Sequence, residues 1–419
     1  MARLSAVQET AQMTHPTAVS ATPSWIATPE ATLQVNSVAV SADGNCCVFG
    51  TSNEFSTGQF AVYCYDGAGQ QQWSSPIGAA ASTQGVFWVA ASADGQFAAA
   101  GGETGKSAGF LNAYRASDGL PLLAATPPSR VNQVALAGDG SLLLAVFNDT
   151  VQLYAYADGA YVLASQLSFA GSYCNSCALA PDGFTAVVSC TIYSETGGPS
   201  TGQVVSLAIS ERKLTVSGSW ASPVGVMRVA IAASGNYWGA SLHDGSCALF
   251  APGSVSAPLW QYKPDVANLD VAYGFDITET AAGRVVLACG ANLYVAAPVP
   301  TPAPPGGYLY LVESVASGSG QAPSFCWGAT LTYSANPGVS LARDAQYVSA
   351  TDGAPGAETP GQVSESAGNF YLFDGASGNQ LWRYPTPVMN WPMAITPDGA
   401  HAFGGSDDGS VYYWASPAA

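Results

Sequence analysis

Charged side chains are scarce in this sequence. They make up 9% of its 419 residues, whereas an average protein has roughly 25%. Basic residues are the rarest of them, since 11 Lys and Arg stand against 28 Asp and Glu, for a net charge of −17. A surface of this sign repels the phosphates of nucleic acids and of anionic lipids. We therefore expect no nucleic-acid partner and no attachment to an acidic membrane surface.

Long apolar runs are also missing, although hydrophobic residues form 48% of the chain. No run approaches the ~18 residues of a membrane-spanning helix, so we expect no membrane insertion. The N-terminal residues 1–24 lack the apolar centre of a signal peptide. The wealth of Ser, Thr, Gly and Ala suits an exported protein better, so the two signals conflict and the sequence leaves the localisation open.

The sequence is instead rich in short apolar runs between turn residues, which is typical of β-strands. One pattern recurs, an apolar run that ends in a small residue and an Asp-Gly turn. A degenerate copy lies at Val339–Ala345, and a copy with a stretched turn, Val271–Gly283, fills the remaining gap, so we count eight. The six regular copies are Val38–Gly44, Val89–Gly95, Val134–Gly140, Cys177–Gly183, Val229–Gly235 and Met393–Gly399.

Each copy continues with three further apolar runs, and the last of them often contains Trp. Four such runs recur every 43–54 residues, which matches the four-stranded antiparallel blade of a β-propeller. In such a ring the aromatic side chains of the outer strands pack between neighbouring blades. We therefore expect core positions for four tryptophans, Trp73, Trp260, Trp327 and Trp382.

The two ends of the chain are predicted to meet. The last copy has room for only three strands between Asn390 and Trp414. The segment Pro23–Ala31 has the pattern of a fourth strand, with Trp25 at the Trp position. We predict that it completes the last blade and so removes an open sheet edge. The predicted domains are a disordered tail at 1–22 and a single propeller at 23–419, with blade 8 shared between 23–31 and 390–414.

Two propeller families resemble these repeats. "MAITPDGAHAFGGSDDGSVYYW", Met393–Trp414, is similar to WD40 or YVTN-type repeats. "NFYLFDGASGNQLWRYPTP" and "AVYCYDGAGQQQWSSPIG" resemble the repeats of pyrroloquinoline-quinone (PQQ)-like propellers. The resemblance extends from Pro23 to Trp414 and implies an all-β, eight-bladed propeller with four-stranded antiparallel blades. It specifies the fold and leaves the function undetermined.

The cofactor site of the PQQ enzymes is not expected here. In those dehydrogenases two adjacent cysteines form a disulfide beside the quinone, with a Trp opposite and a Ca²⁺ nearby. The adjacent pair Cys46-Cys47 falls inside a predicted second strand, where Cys47 would face Cys64, and no acidic cluster accompanies it. The lone CxxC motif of Cys174 and Cys177 has no partner pair for zinc. We expect no cofactor and no metal.

Histidine, the commonest catalytic base, is almost absent. His15 lies in the predicted tail, His243 in a predicted hairpin turn and His401 just after a turn on the opposite face. No motif for a serine nucleophile or a phosphate loop appears. These absences favour a non-enzymatic interaction or scaffold protein with a protein or glycan partner. The alternative is a hydrolase or lyase with its site at the mouth of the central channel.

The predicted binding surface is the face where first strands begin and where second and third strands are joined. The joining loops are short in blades 3, 5 and 8 and longer in blades 1, 2, 4 and 7, and insertions on one face suggest binding. Amides beside aromatic rings suit a neutral polar ligand, and Arg228 is placed to pair with Asp270 on the next blade. The candidate contacts are Asn36, Trp88, Asn132, Asn175, Arg228, Asp270 and Trp391.

Overall fold

The regular structure consists of short β-strands, and each repeat copy supplies a group of them. The computed structural model describes residues 22–54, 56, 58–79, 84–105, 108–193, 200–254, 256–294, 303–315, 322–354 and 367–415. The predicted disordered tail, residues 1–22, falls almost wholly outside them. Within these ranges no helix has the length and apolarity needed to span a membrane.

The strands fall into eight units. Strand β1 is Trp25–Ala27. Unit 1 consists of β2 (Gln34–Val40), β3 (Cys47–Ser52), β4 (Gln59–Tyr65) and β5 (Gln71–Ala79), and unit 2 of β6 (Gly85–Ala91), β7 (Phe97–Gly105), β8 (Ala108–Arg115) and β9 (Pro121–Ala125). Unit 3 consists of β10 (Val131–Leu136), β11 (Leu142–Phe147), β12 (Thr150–Ala157) and β13 (Ala160–Ser168), and unit 4 of β14 (Tyr173–Leu179), β15 (Thr185–Ile192), β16 (Thr201–Ser210) and β17 (Lys213–Ser222). Unit 5 consists of β18 (Val226–Ile231), β19 (Trp238–Leu242), β20 (Cys247–Phe250) and β21 (Trp260–Tyr262), and unit 6 of β22 (Leu269–Glu279), β23 (Arg284–Leu293), β24 (Gly307–Val315) and β25 (Ser324–Leu331). Unit 7 consists of β26 (Ser334–Ala335), β27 (Ser340–Leu341), β28 (Tyr347–Gly353), β29 (Gly368–Asp374) and β30 (Gln380–Thr386). Unit 8 consists of β31 (Asn390–Ile395), β32 (His401–Ser406) and β33 (Val411–Ala415).

Within each unit the strands pair antiparallel in chain order. A single pair, Ser52 with Gly85, joins the sheets of units 1 and 2. Unit 7 has its first strand split into β26 and β27, followed by a 3₁₀ turn at Arg343–Ala345. Ala345 has a φ of 53° where the other copies have a turn glycine, so the degenerate copy keeps the turn without glycine.

The first strands contact one another in a closed cycle. β2 packs against β6, β6 against β10, and so on through β14, β18, β22 and β27 to β31, which packs back against β2. This is the arrangement of a ring of radial sheets. The prediction of an all-β propeller with antiparallel four-stranded blades is confirmed, and we interpret each of the eight units as one blade.

The predicted closure by the N-terminal strand is confirmed. β1 pairs with β33, and Trp25 lies opposite Tyr413 with their rings stacked 5.0 Å apart. The indole Nε1 of Trp25 donates to the carbonyl oxygen of Gly67 in unit 1 at 3.1 Å. One short strand therefore completes the last sheet and also contacts the first.

The outer-strand tryptophans are core residues, as predicted, and they bridge neighbouring units. All four are at most 9% exposed. Trp73 in unit 1 donates to the carbonyl oxygen of Ala116 in unit 2 at 2.7 Å, and Trp327 in unit 6 donates to that of Gly375 in unit 7 at 2.8 Å. The indoles of Trp73 and Trp327 therefore satisfy their single donors while they fill the space between two sheets. The buried Nε1 of Trp260 has no hydrogen-bond partner.

The predicted contact between Cys47 and Cys64 is wrong by one residue. Cys47 lies opposite Tyr65, and Cys64 lies opposite Val48. The sulfur nearest to Cys64 is that of Cys46, at 3.8 Å. The length and shape of the loop set the register of a hairpin, and the simple register did not allow for them. All nine cysteines are free thiols, and all except Cys326 are buried.

Candidate functional site

A β-bulge interrupts the first strand of nearly every unit at the same point. The pairing of β2, β10 and β14 with the next strand skips Asn36, Asn132 and Asn175 respectively. β6, β18, β22 and β31 carry similar irregularities, and unit 7 breaks its first strand there. A bulge takes the extra residue out of the ladder and redirects its side chain. The repetition directs one side chain per unit toward the same region.

These side chains line a cavity of about 520 Å³ at the centre of the ring. Every unit contributes to its wall, from Asn36 in unit 1 through Pro337 in unit 7 to Trp391 in unit 8. The volume falls within the range of about 300–1,000 Å³ that is usual for ligand pockets. The cavity is therefore large enough for a small ligand or for a few side chains of a partner.

Six of the seven predicted contact residues lie around this cavity. They are half-buried in its wall, whereas Asp270 is exposed and outside it. β22 contains two pairing irregularities, between Leu269 and Ala272 and between Ala272 and Gly274. The strand is therefore longer than its counterparts, and Tyr273 takes the position in the wall that the sequence assigned to Asp270. A binding role for the other six stays a prediction.

Half of the six predicted contacts in the wall use their polar groups for hydrogen bonds within the ring. Asn132 donates to the carbonyl oxygen of Cys174 in the next unit at 2.7 Å and accepts from the hydroxyl of Tyr173 at 2.8 Å. Asn175 donates to the carbonyl oxygen of Val226, also in the next unit, at 3.0 Å. The indole N–H of Trp391 donates to the carboxylate of Asp407 at 3.0 Å. The asparagine bonds hold neighbouring units together, whereas the Trp391 bond lies within unit 8, and sequence reasoning had anticipated neither.

Arg228 does not form the predicted ion pair with Asp270. Among the described residues only Arg115 with Asp118 and Arg284 with Glu313 form ion pairs. The Arg228 guanidinium instead lies 4.7 Å from the centroid of the Trp88 ring, a cation–π distance. Its Nη1 contacts the Gln133 side-chain oxygen at 3.5 Å, and its buried Nε has no hydrogen-bond partner.

A second cation, Arg130, lies in the same wall in a matched arrangement. Its guanidinium is 4.7 Å from the centroid of the Phe87 ring. Burial raises the pKa of both Glu54 and Glu103, and the charge of Arg130 acts to lower the two values. Arg130 therefore interacts with two nearby carboxyl groups, and Glu54 itself lines the cavity.

His243 is a cavity residue rather than only a hairpin-turn residue. Its ring lies in the wall, and its buried Nε2 has no hydrogen-bond partner. Burial lowers its pKa, although the charges of Asp270 and Asp244 act to raise it. His401, in contrast, contacts the hydroxyl of Tyr413 through Nδ1 at 2.8 Å beside the first turn. Other cavity residues that sequence reasoning missed include Glu54, Arg130, Tyr173, Tyr193, Met227 and Tyr273.

The overall arrangement has known counterparts among solved structures. The β-propeller domain of Cps50 (Swd1) from Myceliophteria thermophila is similar to this chain, with a TM-score of 0.53 and 13% identity over 78% of this chain and 95% of that one. The chain has the β-propeller fold. Kuenenia stuttgartiensis hydrazine synthase is similar with a TM-score of 0.52 and 10% identity, over 93% of this chain and 97% of that one. No protein-family model and no curated protein matches the sequence.

These similarities show the fold alone, so the PQQ-like repeat type stays a prediction. First strands begin and second strands end on one face of the ring, as predicted, and a ligand-binding role of this face stays a prediction. Glu54, Tyr193 and His243 follow second strands, and they share the cavity with Asn36 from the start of a first strand. Among the described residues, no group of three or more His, Cys, Asp and Glu side chains is arranged to hold a metal ion.

Proposed function

We propose that this propeller is a non-enzymatic interaction protein that receives a segment of a protein partner in its central cavity. The observation that carries the proposal is the repeated bulge, which directs side chains from around the ring into one 520 Å³ space. Bulges of this kind concentrate at functional sites, where they aim side chains. Glu54, Tyr193 and His243, which follow second strands, extend the contact surface.

A protein segment fits the wall better than a glycan does. Sugar recognition needs several free donors and acceptors for hydroxyl groups. Asn132, Asn175 and Trp391 already use polar groups inside the ring. What remains available is mainly aromatic surface, including Trp88 and Tyr193, with few free polar groups beside it, namely the guanidinium of Arg228, the amide of Asn36 and Nε2 of His243. Aromatic rings and arginine are the residues that dominate binding energy at protein interfaces.

The enzymatic alternative receives less support from the same wall. General acid–base chemistry needs two titratable groups within hydrogen-bond reach of the reacting atoms. Between the described cavity residues Glu54, His243 and Tyr273 there is no side-chain hydrogen bond. One structural neighbour has the name of an enzyme, but a similarity at 10% identity extends to the fold alone.

A matched pair of substitutions in one hairpin tests the cavity as the binding site. Asn36→Trp places an indole at the bulge of β2, inside the cavity. Asn45→Trp places the same side chain at the exposed turn between β2 and β3, at the other end of the hairpin. Asn36 makes no side-chain hydrogen bond with a described residue, so the exchange removes no internal hydrogen bond.

Affinity capture from the native source identifies proteins that bind the wild type, and titration calorimetry with the purified partner gives the affinity. We expect the Asn36→Trp variant to lose at least about tenfold in affinity, because the cavity is filled, and the Asn45→Trp variant to bind as the wild type does. Equal binding by both variants would show that the cavity is not the site. Binding of a purified glycan, lost in the Asn36→Trp variant, would overturn the protein partner.

A further inference from the structure

Arg228 is a cation that the described residues leave without a counterion. No described carboxylate oxygen lies within ion-pair distance of it, and its buried Nε is unpartnered. Burial lowers the pKa of Arg228 to about 10, so the guanidinium is still charged at neutral pH. A charge that is partly removed from water and has no counterion is unfavourable. Arg130 in the same wall differs from Arg228, because the carboxyl groups of Glu54 and Glu103 lie near it.

We propose that Arg228 binds a carboxylate of the partner segment, carried by an Asp or Glu side chain or by the C-terminus of the partner. This inference rests on the proposed function, because it names the chemical group that enters the cavity. Arg228 is then the residue that determines specificity, and the surrounding aromatic rings supply contact area.

The geometry of the guanidinium favours a carboxylate. Trp88 covers one face of the planar group at 4.7 Å, and the contact with the Gln133 side-chain oxygen is long, at 3.5 Å. Nη2 forms no hydrogen bond with a described residue and, unlike Nε, is not buried, so the edge of Nη1 and Nη2 keeps unused donors toward the cavity. A planar carboxylate accepts two parallel hydrogen bonds from such an edge.

The charge of the surroundings favours one negative charge over two. The chain has a net charge of −17, and Glu54 lies in the same cavity as Arg228. Repulsion from these acids grows with the charge of the ligand. A singly charged carboxylate therefore fits the cavity better than a phosphate dianion.

Small blocked peptides test this inference without knowledge of the partner. The probes are acetyl-Gly-Glu-Gly-amide, its neutral counterpart acetyl-Gly-Gln-Gly-amide, acetyl-Gly-Gly with a free C-terminus, and inorganic phosphate. The chain contains eight arginines, so the ¹⁵N–¹H correlations of the arginine Nε–H groups give a simple spectrum. The Arg228→Met variant identifies the signal of Arg228.

We expect acetyl-Gly-Glu-Gly-amide or acetyl-Gly-Gly to shift the Arg228 Nε–H signal and to bind at least about tenfold more tightly than the Gln probe. Whichever of the two binds more tightly identifies the carboxylate as one from a side chain or from a C-terminus. Equal binding of the Glu, Gln and free C-terminal probes would overturn the inference. Tighter binding of phosphate than of either carboxylate would do so as well.

Two variants separate recognition from a structural role. Arg228→Met should abolish the preference for carboxylate and leave the melting temperature unchanged or higher, because an uncompensated charge is replaced by an apolar chain. Arg130→Met is the matched control, since Arg130 also stacks on an aromatic ring in this wall, and it should keep the preference. A lower melting temperature for Arg228→Met together with an unchanged preference would show that Arg228 only supports Trp88.

A failure of this inference can be distinguished from a failure of the proposed function. If Asn36→Trp blocks the partner and the probes show no preference for carboxylate, the cavity binds its partner through other groups and only this inference fails. If the probes show the preference and Asn36→Trp leaves partner binding intact, the cavity holds carboxylates and the proposed site of partner binding is wrong.

Discussion

At the scale of the residue, Cys174 and Cys190 form a contact that their spacing along the chain does not predict. The two lie directly opposite each other in β14 and β15, with sulfurs 3.1 Å apart. The backbone N–H of Cys174 donates to Asn148 and its carbonyl accepts from Asn132, so it exchanges no ladder hydrogen bond with Cys190. Side chains approach most closely in such a pair. The CxxC partner suggested by the sequence, Cys177, instead donates to the carbonyl oxygen of Gln133.

Both thiols are buried, so we expect a mild thiol oxidant such as diamide to join Cys174 and Cys190 slowly, as local opening of the blade exposes them. The two thiols each lose a hydrogen to diamide, which is reduced to the hydrazine, and a sulfur–sulfur bond forms. Contact with Cys190 raises the pKa of Cys174, and the same contact lowers that of Cys190, so Cys190 is the sulfur expected to react first as the thiolate. A disulfide that closes a loop of this size should stabilise the fold by about 3 kcal/mol.

The measurement is peptide mapping of oxidised and reduced protein by mass spectrometry. Cys190→Ser should remove the cross-link, and Cys177→Ser should leave it in place. A cross-link between Cys174 and Cys177 in the wild type would contradict the arrangement described for β14 and β15.

At the scale of the strand and the turn, a tryptophan of one unit packs against a turn glycine of the next unit. The turn between β8 and β9 contains Gly119 with a φ of +72°, and a Cβ at this position would lie 2.8 Å from the Trp73 indole of the preceding unit. Gly69 faces Trp25 and Gly378 faces Trp327 in the same way. The glycine therefore provides both a left-handed turn and room for the neighbouring ring.

Gly119→Ala should destabilise the propeller more than Gly159→Ala does. Both glycines have positive φ in a turn between third and fourth strands, but nothing lies within 4 Å of a Cβ placed at Gly159. The backbone strain of about 1–2 kcal/mol is common to both variants. The contact with Trp73 should add about 1–3 kcal/mol at Gly119 alone. Urea unfolding gives the two free energies, and equal losses would mean that the turn can move away from the indole.

At the scale of the whole molecule, the ring depends on the short N-terminal strand. Besides its pairing with β33, the segment places the Thr28 hydroxyl 2.8 Å from that of Ser410 and lets the Ser24 hydroxyl accept from the backbone N–H of Ala415 at 2.9 Å. Trp25 adds its bond to Gly67 in unit 1. Residues almost the full chain length apart therefore hold the last unit and the first unit together.

Deletion of residues 1–31 should destabilise the entire ring. It removes β1, exposes the edge of β33 and leaves Tyr413 without its stacked ring, so we expect the melting temperature to fall by at least ~5 °C. Deletion of residues 1–20, which retains every contact described for β1, is the matched control and should leave the melting temperature unchanged. Thermal unfolding followed by circular dichroism makes the comparison. An unchanged melting temperature for the longer deletion would contradict closure by β1.

The sequence by itself determined the features that depend on local order along the chain. The turn glycines, the period of the apolar runs and the outer tryptophans follow from backbone preference and strand alternation, which neighbouring residues set. These features were sufficient for the all-β propeller and for its closure by Trp25. They also located most of the cavity wall, because the bulged residue stands eight positions before the turn glycine in most units, as Asn36 does before Gly44 and Trp391 before Gly399.

Only the tertiary structure decided which side chains line the cavity and which of their polar groups are free. In unit 6 the corresponding spacing is ten residues, from Tyr273 to Gly283, so Asp270 falls outside the wall and cannot neutralise Arg228. A register change of one residue turns a side chain to the other face, and the loops that set the register carry no simple pattern. Whether a polar group is free or engaged depends on units that are distant along the chain. The sequence alone therefore could not predict that the guanidinium of Arg228 is unpaired, because this depends on how the units pack in the closed ring.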